Sequence, residues 1–176
     1  NGALLYTTEM EGGSSDESQY PSNREVACAA CSPPAEGSVF PRWGSRECPS
    51  GTTKLYEGFM ASSAHNHNGG GANTLCMHSD PQYPESYSDG DQNGNLLYGM
   101  EYQNTGAIDA NENKDAACVM CMLDTTATAY TQWGRNECSN GHETLYSGVV
   151  MSNHYTQKKG ESVCVDLERA EHAGSV

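Results

Sequence analysis

Positive charge is scarce in this chain. Nine Lys and Arg stand against 23 Asp and Glu, for a net charge of −14. That argues against nucleic acid as a partner, because neutralised phosphates supply most of such binding. It argues equally against docking on anionic lipid. No run of 18 apolar residues exists, so no membrane insertion is expected. Helical periodicity is weak throughout, and apolar runs are short. There is no Gly-x-Ser-x-Gly elbow, and no Ser-His-Asp or Cys-His set assembles, so an enzyme is not expected. The 23 acidic residues offer paired carboxylates only by coincidence. No Asn-x-Ser/Thr sequon is present, which disfavours N-glycosylation. The first residues contain no apolar leader, and the expectation is a mature secreted protein.

Cysteine, in contrast, is plentiful and patterned. Cys28-Ala29-Ala30-Cys31 is followed 17 residues later by Cys48, and Cys118-Val119-Met120-Cys121 is followed 17 residues later by Cys138. Each third cysteine follows a Trp-Gly, at Trp43-Gly44 and Trp133-Gly134. Each precedes a Leu-Tyr-x-Gly, at Leu55-Tyr56-Glu57-Gly58 and Leu145-Tyr146-Ser147-Gly148. Cys76 and Cys164 close the two copies, which open on Gly2-Ala3-Leu4-Leu5-Tyr6 and Gly94-Asn95-Leu96-Leu97-Tyr98. An internal repeat decides how a fold is read. The chain divides into a first repeat at 1–78, a connector at 79–93 and a second repeat at 94–176 with a polar C-terminal tail. About 75 residues give one core little surplus stability, and disulfides compensate.

Zinc and redox chemistry compete with disulfides for a Cys-x-x-Cys pair. Zinc needs a second ligand pair, and Cys48 and Cys76 stand alone in sequence. Ser32-Pro33-Pro34 cannot begin the helix that a thioredoxin-like site requires. All eight cysteines are therefore expected in disulfides, in an oxidising, extracellular compartment. Pairing within each copy is the simplest model, Cys28–Cys31 is disfavoured as a strained short loop, and three connectivities per copy stay open.

Residues 4–6, 38–43, 53–60, 74–77, 96–102, 125–133, 144–151 and 162–165 have strand-like composition. Asn68-Gly69, Asn93-Gly94 and Asn140-Gly141 punctuate them as turns. Residues 10–23 read as a polar surface insertion. The fold class expected is all-β: two tandem homologous, disulfide-stapled β-rich subdomains related by a pseudo-twofold axis.

Several of these residues form an ordered set. They are Arg42-Trp43-Gly44, Cys48-Pro49, Leu55-Tyr56-Glu57-Gly58-Phe59, Gly69-Gly70-Gly71-Ala72-Asn73-Thr74-Leu75-Cys76 and Asp80-Pro81. In the second copy they are Leu97-Tyr98-Gly99-Met100-Glu101-Tyr102, Cys118-Val119-Met120-Cys121, His154-Tyr155-Thr156 and Val163-Cys164-Val165-Asp166. In this order the chain resembles the non-collagenous domain of short-chain, spongin-like invertebrate collagens. More distantly it is similar to the C-terminal globular domain of type IV collagen. The resemblance implies two similar β-rich subdomains and extracellular assembly. The chain carries no Gly-X-Y tract, so a free-standing globular protein is expected rather than a collagen end. The family's His-Tyr-Thr-His appears here as Ala64-His65-Asn66-His67 and His154-Tyr155-Thr156-Gln157.

His65 and His67 have the spacing of a strand-borne metal pair but lack a third ligand, so no metal site is expected. Calcium is the one cofactor that the acidity leaves room for. Trp43 and Trp133 occupy equivalent places beside Arg46, Arg135 and Asn136, with groups suited to stacking on sugar rings and bonding hydroxyls. The polar loops 62–73 and 152–160 add His65, Asn66, His67, Asn73, His154 and Tyr155. These are the candidate ligand-binding residues. The first function expected is a secreted, non-enzymatic, multivalent lectin that binds glycans or glycoproteins as a homo-oligomer. The alternative is an extracellular-matrix or adhesive assembly module.

Overall fold

A computed structural model of the chain describes residues 3–12, 20–84, 90–103 and 111–175. Among them the protein is all-β, without a helix. Its strands are β1 (Thr8–Met10), β2 (Arg24–Glu25), β3 (Val39–Trp43), β4 (Thr52–Ser62), β5 (Leu75–His78), β6 (Asn95–Gly99), β7 (Ala117–Leu123), β8 (Gly148–Met151) and β9 (Val163–Asp166). They join in the order β2-β1-β6-β4-β7-β3-β9-β8, with β5 on the other side of β4.

Strands of the two sequence copies interleave. β7, from the second copy, lies between β4 and β3 of the first. It is antiparallel to both, with Cys118 opposite Gly58 and Trp43. The sequence Ala-Cys-Val-Met-Cys-Met-Leu is apolar at every position, as a strand paired on both edges and covered on both faces requires. Six of its seven residues are buried. Composition alone favoured other stretches, because a continuous apolar run lacks the alternation of a half-buried strand. β3 tolerates Pro41 because β7 pairs its whole length on one side, while β9 meets it at Trp43 alone.

β4 is the longest strand. β7 pairs its first part, β6 continues beyond at Ala61 and Ser62, and β5 lines the opposite edge. Gly58 is required there, since an added Cβ would collide with the Met77 carbonyl. Phe59 and Ala61 face one core with Met10, Tyr20, Met77 and Leu97. Met60 faces another with Tyr102, Ala116, Cys118, Val163 and Val165. Met10 and Tyr20 therefore correct the reading of residues 10–23 as a polar surface loop: the segment's ends are core, and the Tyr20 hydroxyl donates to the His78 carbonyl. Residues 13–19 of that segment lie outside the described residues. So do 85–89 of the expected connector, whose end is held by Glu9. The buried Glu9 carboxylate accepts the Gln92 and Asn93 N–H groups at 2.8 and 3.2 Å.

The disulfides correct the expected pairing. Cys48 bonds Cys121 and Cys76 bonds Cys118, with Cα separations of 5.8 and 5.7 Å. Both bridges cross from the first copy to the second, because β7 is inserted beside β4. Cys28, Cys31, Cys138 and Cys164 are thiols, against the expectation that all eight cysteines are paired. The physical reason is that β7, seated beside β4, takes the within-copy partners of both pairs: Cys48 and Cys76 are bonded to Cys121 and Cys118. Two expected strands are also absent. Residues 4–6 and 125–133 have no ladder partner among the described residues, and β8 covers only the last part of 144–151. The expected polar tail packs back: His172 is buried, 5.3 Å from the Phe59 ring, and Ser175 accepts the Asp115 N–H.

Arg42 on β3 and Asp166 on β9 tie the halves together. The guanidinium meets the carboxylate at 2.8 and 2.9 Å through two nitrogens, with both side chains largely buried. The same guanidinium lies 5.6 Å from the Tyr146 ring centre. Asp115 is the reverse case. It is 2% exposed, and its Oδ1 has no hydrogen-bond partner among the described residues. Burial, then the nearby Glu101, push its carboxyl up to about 7, against the pull of Lys114.

Candidate functional site

The candidate residues fall in three places. Loops 62–73 and 152–160 follow the ends of β4 and β8, and they bond directly to each other. The Lys158 N–H donates to the His65 carbonyl at 2.9 Å, and the Glu161 N–H donates to the Ala72 carbonyl at 2.9 Å. The Glu161 carboxylate accepts the Thr74 N–H at 2.7 Å. His65, Asn66, His67, Asn73, His154 and Tyr155 thus belong to one joined polar surface. Each loop turns in the same way, with His67 donating to Ala64 and Gln157 to His154. Tyr155 is 91% exposed, its ring 4.4 Å from that of His154. His67 instead turns its ring edge to Tyr98, 5.6 Å away. Among the described residues no group of three or more His, Cys, Asp or Glu could hold a metal ion.

Trp43, Trp133, Arg135 and Asn136 line a second place, an open cleft of about 630 Å³ between β3 and the second copy. Phe40, Leu123, Tyr130, Leu145 and Tyr146 give it an apolar wall. Trp43 is half-buried at the end of β3, whereas Trp133 and Tyr130 stand 53 and 55% exposed. The lining is held by local bonds. The Tyr130 hydroxyl lies 2.9 Å from His142 Nδ1, Gln132 donates to the Glu137 carbonyl, and Ser147 donates to the Asn136 carbonyl. Cys138 and Cys164 are also in the lining, and composition gave no signal that they would be. Burial, then Asp166, raise the Cys164 thiol above its ordinary value, against a hydrogen bond from Tyr146 that lowers it. Arg46 belongs to neither place. It is exposed beside Glu57, Ser79 and His172 in a shallow cleft of about 180 Å³.

No family model matches the chain. No solved structure matches it. Among the described residues, no helix is long and apolar enough to cross a membrane.

Proposed function

We propose that this chain is an extracellular, non-enzymatic assembly module that joins further β-rich units of its own kind. One observation carries the reading. Leu4, Leu5 and Tyr6 stand 66, 101 and 65% exposed, while Leu97, the counterpart of Leu5 in the second copy, is 4% exposed in the core. A contiguous exposed apolar stretch is a hallmark of an interaction surface. The two cross-linked bridges support an oxidising compartment, and the net charge of −14 suits a soluble extracellular protein. The test is the solution mass of the oxidised chain by sedimentation over a wide concentration range. Self-association that free sugars leave unchanged is expected. A monomer at every concentration rejects the reading.

A lectin is the second reading, favoured by the hydrogen bonds that fuse the two polar loops. A joined surface of imidazoles, amides and an exposed Tyr offers the stacking face and hydroxyl partners that a glycan needs. On this reading, Tyr155→Ala abolishes glycan-array signal without changing the melting temperature. Silence of the unaltered protein on the array removes it.

A further inference from the structure

The hairpins β4–β5 and β8–β9 share one register. Gly58 faces His78 and Met60 faces Cys76, while Gly148 faces Asp166 and Val150 faces Cys164. The repeat in the sequence equates these same positions. The Tyr56 and Tyr146 hydroxyls donate to the Cys76 and Cys164 carbonyls, each at 3.1 Å. Gly58 and Gly148 both lie where a Cβ would collide with a carbonyl of the facing strand.

The flanks of the hairpins differ. β4 carries β7 beside it, and Cys118 and Cys121 reach from β7 to Cys76 and Cys48. Among the described residues β8 pairs only with β9. On the edge that β7 would occupy lies the open cleft, with Cys138 and Cys164 in its wall as thiols.

The sequence also contains the missing strand. Residues 27–33 correspond to β7, and Cys28 and Cys31 are exposed thiols. The approach to this segment is already shaped. Asn23 and Asn113 share a positive φ of 64° and 61°. The Asn23 N–H donates to the Met10 carbonyl at 2.9 Å, as the Asn113 N–H donates to the Tyr102 carbonyl at 2.8 Å. Glu9 pairs with Glu25 as Glu101 pairs with Asp115. The described residues 8–10 and 23–26 are thus arranged like residues 100–102 and 113–116, and beyond them Cys28 and Cys31 have no ladder partner among the described residues.

We propose that residues 27–33 of a second copy of this chain fill the cleft as its missing strand, closing Cys31–Cys138 and Cys28–Cys164 bonds between chains. The proposal rests on the assembly reading and names its surface. Carrying over the register of β7 sets Cys28 between Trp133 and Gly148, and Cys31 between Tyr130 and Thr144. The strand order favours a second copy as the donor, because β2 and β8 stand at its opposite ends. Val26 is bonded to Thr8, and the two residues from there to Cys28 span at most about 7 Å. Each cystine forms as two thiols pass two electrons and two protons to an oxidised small-molecule disulfide, which leaves as two thiols. An arm of one chain seated in the cleft of the next closes a pair or ring, or runs on as a filament.

The test mixes reduced full-length chains, unlabelled and heavy-nitrogen-labelled, and oxidises them together with a small-molecule disulfide. Peptide mapping is expected to find Cys31–Cys138 and Cys28–Cys164 links in mixed heavy–light pairs. The solution mass should at least double and fall again on reduction. The Cys28→Ser, Cys31→Ser double variant should keep the folded core, whose bridges lie elsewhere, and lose the covalent mass increase. Links that are only light–light and heavy–heavy would assign the cleft to the chain's own arm and overturn the proposal. Assembly with these four thiols still alkylatable overturns it while leaving the assembly reading intact. A monomer with four alkylatable thiols overturns both.

Discussion

The β4–β5 and β8–β9 hairpins are the same construction in two states of completion. Both pair in one register and both use a Tyr hydroxyl to hold the facing carbonyl. Around the first, β7 adds a buried strand and two disulfides, and Phe59 is 1% exposed. Around the second there is an open cleft, and Val150 is 52% exposed. The hairpin itself is therefore only a frame. Its stability comes from the strand laid beside it, which another part of the sequence supplies. A strand needs its ladder partner as much as its composition.

Truncating equivalent side chains should separate the two hairpins most. Phe59→Ala removes a fully buried ring and should cost about 3–5 kcal/mol of unfolding free energy in denaturant titration. Val149→Ala, its half-buried counterpart, should cost about 1 kcal/mol. Equal losses would mean that the second hairpin is as well packed as the first.

The cysteines should separate next. Replacing Cys76 and Cys118 together by Ser should lower stability by about 2–4 kcal/mol, read from the denaturant midpoint. Replacing Cys138 and Cys164 should leave the reduced, isolated chain within about 0.5 kcal/mol of the parent. A large loss in the second pair would show a packing role for those thiols.

The buried Asp115, on the bridge beside β7, gives a pH-dependent contrast. Below the ordinary carboxylate range both folded and unfolded forms hold the proton, and the group is neutral to stability. Above it the unfolded chain ionises first, so stability falls with rising pH until the folded group ionises at about 7. Asp115→Asn should therefore leave the melting temperature unchanged near pH 3 and raise it at pH 8. An equal shift at both pH values would rule out ionisation as the cause. The smallest effect belongs to the exposed Trp133: its change to Ala should move stability by about 0.5 kcal/mol or less, whereas loss of the half-buried Trp43 should cost several times more.

Much of the fold was legible in the sequence. Strands expected at 38–43, 53–60, 74–77, 96–102 and 162–165 overlap β3, β4, β5, β6 and β9. Three of the failures share a cause. Residues 4–6, 125–133 and the first part of 144–151 have strand composition but no ladder partner among the described residues. β7 escaped for the opposite reason: its cysteines read as staples, while its continuous apolar run is what a strand between two others needs. Cysteine spacing revealed the repeat but not the exchange between its copies, because spacing says which residues are equivalent and not which are adjacent. Of the candidate binding residues, those in the two polar loops meet in one surface. The Trp133 group lies in the cleft and Arg46 stands apart.

The crossing of the two bridges has a consequence for the life of the molecule under proteolysis. Cys48 and Cys76 lie before the link between the copies, and Cys118 and Cys121 lie after it. A protease that cuts once anywhere between Met77 and Ala117 severs the chain but releases nothing. The fragments stay bound through two covalent rungs, and the nick shows on a gel only after reduction.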